Sequence, residues 1–112
     1  MVEKRKHKRF KIYQMIQMSI GKENYVSCEG INISKSGMLV KTNKEVDTSA
    51  RFYFLFEVST ASGNHEIRCE GLAAHMEEVD DGYELGVAFT DLDEEDGKIL
   101  DLYIDSLKDQ SN

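Results

Sequence analysis

Hydrophobic and polar positions alternate with period two in several segments before Thr90. Ile12, Ile16, Met18 and Ile20 share one parity, with Gln14 the polar exception, while Tyr13, Gln17 and Ser19 occupy the other. This alternation predicts a half-buried strand over 12–20. Gly21-Lys22-Glu23-Asn24 reads as a turn, followed by a short strand over 25–29 running into Gly30, and a third strand over 38–42. Residues 52–58 read Phe-Tyr-Phe-Leu-Phe-Glu-Val, apolar on both parities except at Glu57. Such a run suits a strand covered on both faces. A turn over 60–64 leads into a strand over 66–76, whose inward parity changes near Gly71, so a bulge or bend is expected there. After the hairpin turn Asp80-Asp81-Gly82, residues 83–90 set Tyr83, Leu85, Val87 and Phe89 against Glu84, Gly86, Ala88 and Thr90.

Beyond Thr90 the period becomes helical. Leu100, Tyr103, Ile104 and Leu107 fall on one stripe widened by Ile99, and Asp91, Asp93, Glu94, Glu95 and Asp96 crowd the start, where the helix dipole favours negative charge. A helix over 93–107 is predicted, its first turn weakened by Gly97, which costs about 1 kcal/mol relative to alanine. Residues 108–112 are expected to be disordered. Short strands followed by one terminal helix imply a mainly β protein, a closed or nearly closed antiparallel barrel with the helix packed on it.

The length of 112 residues leaves room for one domain, and a chain of this size buries about two-thirds of the surface exposed on unfolding, enough for a core without staples. No run of about 18 apolar residues occurs, and the charged N-terminus is not followed by the apolar stretch of a secretory signal. The expected location is therefore intracellular, in the cytoplasm. In a reducing compartment Cys28 and Cys69 are expected as thiols, buried as small apolar residues.

Charge is unevenly distributed. In residues 1–11, Lys4, Arg5, Lys6, Lys8, Arg9 and Lys11 stand against Glu3 alone, a net +5, which leaves −12 for the remainder of a chain whose formal charge is −7. The asymmetry suggests that the basic end meets an anion.

Several chemistries are disfavoured by spacing. His7, His65 and His75 lack partners at metal-ligand spacing. The acidic run from Asp91 fails the calcium-loop template, with Asp96 at the sixth position in place of glycine and Leu102 at the twelfth in place of glutamate. No Gly-rich phosphate loop, Cys-x-x-Cys or nucleophile elbow occurs, so no enzyme, metal site or cofactor is expected.

Two short patterns remain. Arg5-Lys6-His7-Lys8-Arg9 places two guanidinium groups four residues apart just before the first strand, and Asn32-Ile33-Ser34-Lys35-Ser36-Gly37 supplies N-x-S-x-x-G between two strands. Each pattern alone is common, in basic tails and polar turns respectively. Together, in this order and with strands on either side, they resemble the PilZ domain family, whose members are typically receptors for the second messenger cyclic di-GMP. The resemblance covers nearly the whole chain and includes Tyr83-Glu84-Leu85-Gly86-Val87-Ala88-Phe89, similar to the family's late core strand, before the acidic helix start. It implies a six-stranded antiparallel Greek-key-like β-barrel with a C-terminal α-helix. Residues 1–11 would form a flexible basic arm carrying the arginine pair, 12–107 the barrel and helix, and 108–112 a tail.

By this resemblance Arg5 and Arg9 clamp the ligand's phosphates and guanine edges, and Asn32, Ser34, Ser36 and Gly37 form the barrel-surface half of the site. Lys4 precedes the first arginine, at a position whose identity in the family is linked to binding one or two stacked ligand molecules. The residue types suit that role. A guanidinium offers a planar fork of donors to a phosphate or to the O6 and N7 edge of guanine. Asn32 both donates and accepts, Ser34 can turn its hydroxyl, and glycine at 37 permits positive φ and close approach. At physiological ionic strength the Debye length is about 8 Å, so the acidic body is largely screened where the local cationic cluster is not.

The implied function is a non-enzymatic cyclic di-GMP receptor and adaptor. Its arm closes over the dinucleotide and alters the surface offered to a downstream protein that the sequence does not identify. Two alternatives stand beside it. One is a PilZ-like adaptor that acts through protein contacts without ligand. The other is a basic-arm nucleic-acid-binding module with Phe10 and Tyr13 as stacking groups, disfavoured because the acidic body would repel an extended polyanion.

Overall fold

A computed structural model describes residues 9–20 and 25–110. Among the described residues, strands β1 (Phe10–Ile20), β2 (Val26–Ile33), β3 (Gly37–Thr42), β4 (Arg51–Thr60), β5 (Gly63–Val79) and β6 (Gly82–Leu92) precede one helix, α1 (Glu94–Gln110). The strands close into a barrel in the order β1-β2-β3-β6-β5-β4, with every neighbouring pair antiparallel. Pairing of β3 with β6 crosses over the β4–β5 hairpin, the non-sequential step of a Greek-key-like arrangement.

Period two dictates what lies inside. Ile16 and Met18 on β1, alternate residues Phe52, Phe54, Phe56 and Val58 on β4, and Leu85 and Val87 on β6 are buried and form one core. On the outer parity of β4, Tyr53 and Leu55 are only half-buried and Glu57 is exposed, so the outer face of this strand is partly covered rather than enclosed. Cys28 and Cys69 are free, buried thiols as expected, and burial pushes both up to about 12, with the nearby Asp96 carboxylate adding to the effect at Cys69.

The ladder between β1 and β4 is short, running only from Gln17↔Leu55 to Ile20↔Phe52. Both strands continue past it, and α1 packs against β4, β5 and β1, with Leu100 and Ile104 buried. Gln14, the polar interruption of the apolar parity, belongs to this seam. Its side-chain amide donates to the Glu57 carbonyl at 2.8 Å, and its carbonyl accepts the Tyr103 hydroxyl of α1 at 3.3 Å. The β1–β2 register also shifts between Lys11 and Gln14. Burial raises the Tyr103 phenol above its ordinary pKa.

Several boundaries differ from the sequence reading. β1 starts at Phe10, so the last two residues of the expected arm are strand, and Phe10 is itself buried. β2 continues through Gly30 to Ile33. A Cβ at Gly30 would stand 2.6 Å from the Ile16 side chain, so this glycine is a mid-strand close approach and does not end the strand. Helix α1 continues to Gln110, where a disordered tail was expected. An i,i+3 pair of Lys108 with Asp105 at 3.6 Å places a cation in the last turn, where the dipole favours it. The parity change near Gly71 is a register shift between Glu70 and Gly71 in the β5–β6 ladder. The expected turn at 21–24 and the first eight residues lie outside the described residues.

Candidate functional site

The start of β1 and the end of β2 are register partners, Phe10 with Ile33 and Lys11 with Asn32. That pairing brings Arg9, immediately before β1, beside Asn32 although 23 residues separate them, and Arg9 Nη1 donates to Asn32 Oδ1 at 3.3 Å. Both side chains are partly buried. The second arginine of the N-terminal pattern and the first residue of the N-x-S-x-x-G pattern thus meet at one corner of the barrel. Arg5 and Lys4 lie outside the described residues.

Ser34, Lys35 and Ser36 form the connection from β2 to β3. The Ser34 amide donates to the Gly37 carbonyl at 2.8 Å, and the Phe89 amide of β6 donates to the Ser36 carbonyl at 2.9 Å, so backbone bonds fasten the loop at both ends. The Ser34 side chain is buried and turned into the loop. Its hydroxyl accepts the Ser36 amide at 3.2 Å, lies 3.3 Å from the Gly37 carbonyl, to which it donates, and is 3.4 Å from the Ser36 hydroxyl. Serine here shapes the turn through a local side chain to backbone bond. Ser36 is exposed, so its hydroxyl is the more accessible of the two.

Gly37 departs from its expected reason. Among the described glycines positive φ occurs at Gly63 and Gly82 only, at the two hairpin turns. Gly37 is a buried strand residue paired with Ala88, and a Cβ on it would stand 2.2 Å from the Val87 carbonyl oxygen. The glycine is required by the close passage of β6 rather than by a left-handed backbone, and through β6 it fixes where the loop sits.

The sequence reading passed over Lys35. Its ammonium is 3.8 Å from the Asp101 carboxylate of α1, which ties the loop to the helix. The available signal was charge: Lys35 is the sole cation inside the N-x-S-x-x-G pattern. The corner thus presents Arg9, Asn32 and Ser36, a donor-rich surface suited to an anion, with Lys35 in the same loop turned toward α1. A separate cleft of about 460 Å³ lies elsewhere, lined by Tyr53, Arg68, Glu70, Asp91, Asp93 and Asp96 among others, and its four carboxylates outweigh the one guanidinium and would repel an anion. No group of three or more potential metal-ligating side chains occurs among the described residues. No described helix is long and apolar enough to cross a membrane.

The family model described as PilZ domain matches residues 3–106. The chain belongs to the PilZ domain family. The barrel agrees with solved structures. The Bacillus subtilis inhibitor of motility (MotI/DgrA) superposes with a TM-score of 0.80 at 13% identity over 99% of this chain and 53% of that one. This chain therefore spans about half the length of the Bacillus protein. The PilZ domain of Escherichia coli YcgR, solved with c-di-GMP, superposes with a TM-score of 0.69 at 17% identity, covering 97% of this chain and 95% of that one. No curated protein sequence matches the chain significantly. At these identities the likeness establishes the PilZ fold.

Proposed function

We propose that this PilZ domain is a receptor for cyclic di-GMP, a regulatory protein rather than an enzyme, acting in the cytoplasm. The observation that carries the reading is the meeting of Arg9 with Asn32 at 3.3 Å, beside the Ser34–Ser36 loop. It places a forked cation of the N-terminal pattern against the polar half of the barrel pattern. The YcgR domain with the same fold was solved with c-di-GMP, which supports the choice of ligand.

Arg5 and Arg9 take the ligand's phosphates and the guanine O6 and N7 edges through bidentate, charge-assisted bonds. Asn32 gives up its bond to Arg9 and accepts or donates to the ligand, while Ser36 contributes its exposed hydroxyl. Ser34 and Gly37 act by holding the loop in shape. Lys4 bears on whether one or two ligand molecules stack in the site. The segment before Arg9 closes over the dinucleotide, and the altered surface is read by a separate downstream protein.

Titration calorimetry with cyclic di-GMP, with GTP and cyclic GMP as controls, tests the ligand assignment. Saturable heat with cyclic di-GMP alone is expected, and no heat at millimolar ligand would overturn it. Amide hydrogen exchange tests the closure. Residues 2–9 are expected to gain protection on ligand addition, and equal protection in the two states would refute it.

A further inference from the structure

Lys35 is the one cation of the N-x-S-x-x-G loop, and it stands with its ammonium toward α1, 3.8 Å from Asp101 Oδ1. Its neighbours are fixed. Ser34 is buried and bonded into the turn, and Ser36 is held through its carbonyl by the Phe89 amide at 2.9 Å. The Lys35 side chain is therefore a flexible stem on a fastened loop, three residues along the chain from Asn32, which meets Arg9. Its partner is weak. Lys35 and Asp101 retain 36% and 55% of their side-chain exposure, and ion pairs so open to water are worth little because the Coulomb gain is screened and side-chain entropy is lost.

Taking the cyclic di-GMP reading as its premise, we infer that Lys35 is a third cationic contact for the ligand's phosphates, reached by exchanging the Asp101 carboxylate for a phosphodiester oxygen. The exchange costs little, since one exposed charge pair is traded for another. The phosphodiester accepts from an ammonium as a point charge, without the bidentate geometry that the arginines supply. It also leaves Asp101, 55% exposed on α1, without its cation. Ligand occupancy at the loop is thereby written onto the helix as an uncovered carboxylate.

The pair is tested by a double-mutant cycle in calorimetry at low salt, with wild type, Lys35→Met, Asp101→Asn and the double variant. Lys35→Met is expected to weaken cyclic di-GMP binding about fivefold or more, the charged contact to the phosphodiester less the weak ion pair given up for it. Asp101→Asn is expected to strengthen it about two- to fivefold by freeing the lysine, and that gain should vanish when Lys35 is already methionine. Unchanged affinity in Lys35→Met overturns the inference. So does a gain from Asp101→Asn that persists without Lys35, because Asp101 would then merely repel the ligand. Absence of binding by wild type would instead remove the cyclic di-GMP premise, a result separable from both.

Discussion

Gly37 offers the sharpest test of how the barrel positions the loop. Substitution by alanine would put a methyl carbon 2.2 Å from the Val87 carbonyl oxygen, more than an ångström inside ordinary contact, which begins near 3.4 Å. The obstacle is backbone, so no rotamer relieves it, and β3 must move away from β6. That motion strains the Gly37↔Ala88 step of the ladder and the adjoining bonds, Phe89 amide to Ser36 carbonyl at 2.9 Å and Ser34 amide to Gly37 carbonyl at 2.8 Å. Overpacking of this kind costs about 1–3 kcal/mol, and each backbone bond lost adds about 1 kcal/mol. A total of about 3 kcal/mol corresponds to a fall in Tm of about 10 °C for a domain of this size. Thermal melts followed by circular dichroism, with urea titrations for ΔG, measure it. A Gly37→Ala protein melting within about 2 °C of wild type would refute the reasoning, since a 3 kcal/mol cost cannot hide in so small a shift.

Gly97 carries the opposite sign. A Cβ there meets only Leu92 Cδ2, at 3.8 Å, inside helix α1, so Gly97→Ala is expected to stabilise by about 0.5–1 kcal/mol, read as a raised Tm. The buried thiols predict a pH dependence. Cys28 and Cys69 hold their protons up to about 12 when folded, whereas an unfolded cysteine loses its proton near 8.5. Between those values the unfolded chain binds fewer protons, so stability falls as pH rises, by about 1.4 kcal/mol per pH unit for each thiol. Urea titrations from pH 8 to 10.5 should show this slope, flattened in a Cys28→Ala, Cys69→Ala protein. Ser34→Ala should lower stability by about 1 kcal/mol through the loop bonds and weaken cyclic di-GMP binding less than Arg9→Ala does, as compared by calorimetry.

Period two made the strands and their inward faces legible, because each buries one parity. Ile16, Met18, Leu85 and Val87 are core as the alternation required, whereas β4, apolar on both parities, did not show in sequence that Phe52 and Phe54 lie on its inward face. Even the irregularity at Gly71 was readable from its parity change. Pairing order was not, since β3 lying against β6 depends on contacts between segments that share no local pattern. Gly30 was read as the end of a strand and Gly37 through the conformational freedom of glycine, whereas both are small because another element passes close by, which only the assembled barrel reveals. Gln14 looked like a flaw in a strand for the same reason, its partners Glu57 and Tyr103 lying far along the chain. At the candidate site the two sequence patterns identified Arg9 and Asn32 before their contact was visible. The inward turn of Ser34 and the tie from Lys35 to Asp101 depend on side-chain placement that spacing does not encode.

The central claim is that forked cations from the chain start hold a guanine dinucleotide against the polar corner of the barrel. Titration of cyclic di-GMP into wild type, Arg5→Ala and Arg9→Ala proteins tests it most directly. Each lost charged hydrogen bond costs about 1.5–3 kcal/mol, or about ten- to over a hundredfold in affinity. The expected result is saturable binding to wild type and near loss of binding in both variants. Equal affinity in either arginine variant, or no binding by wild type at millimolar ligand, would contradict it.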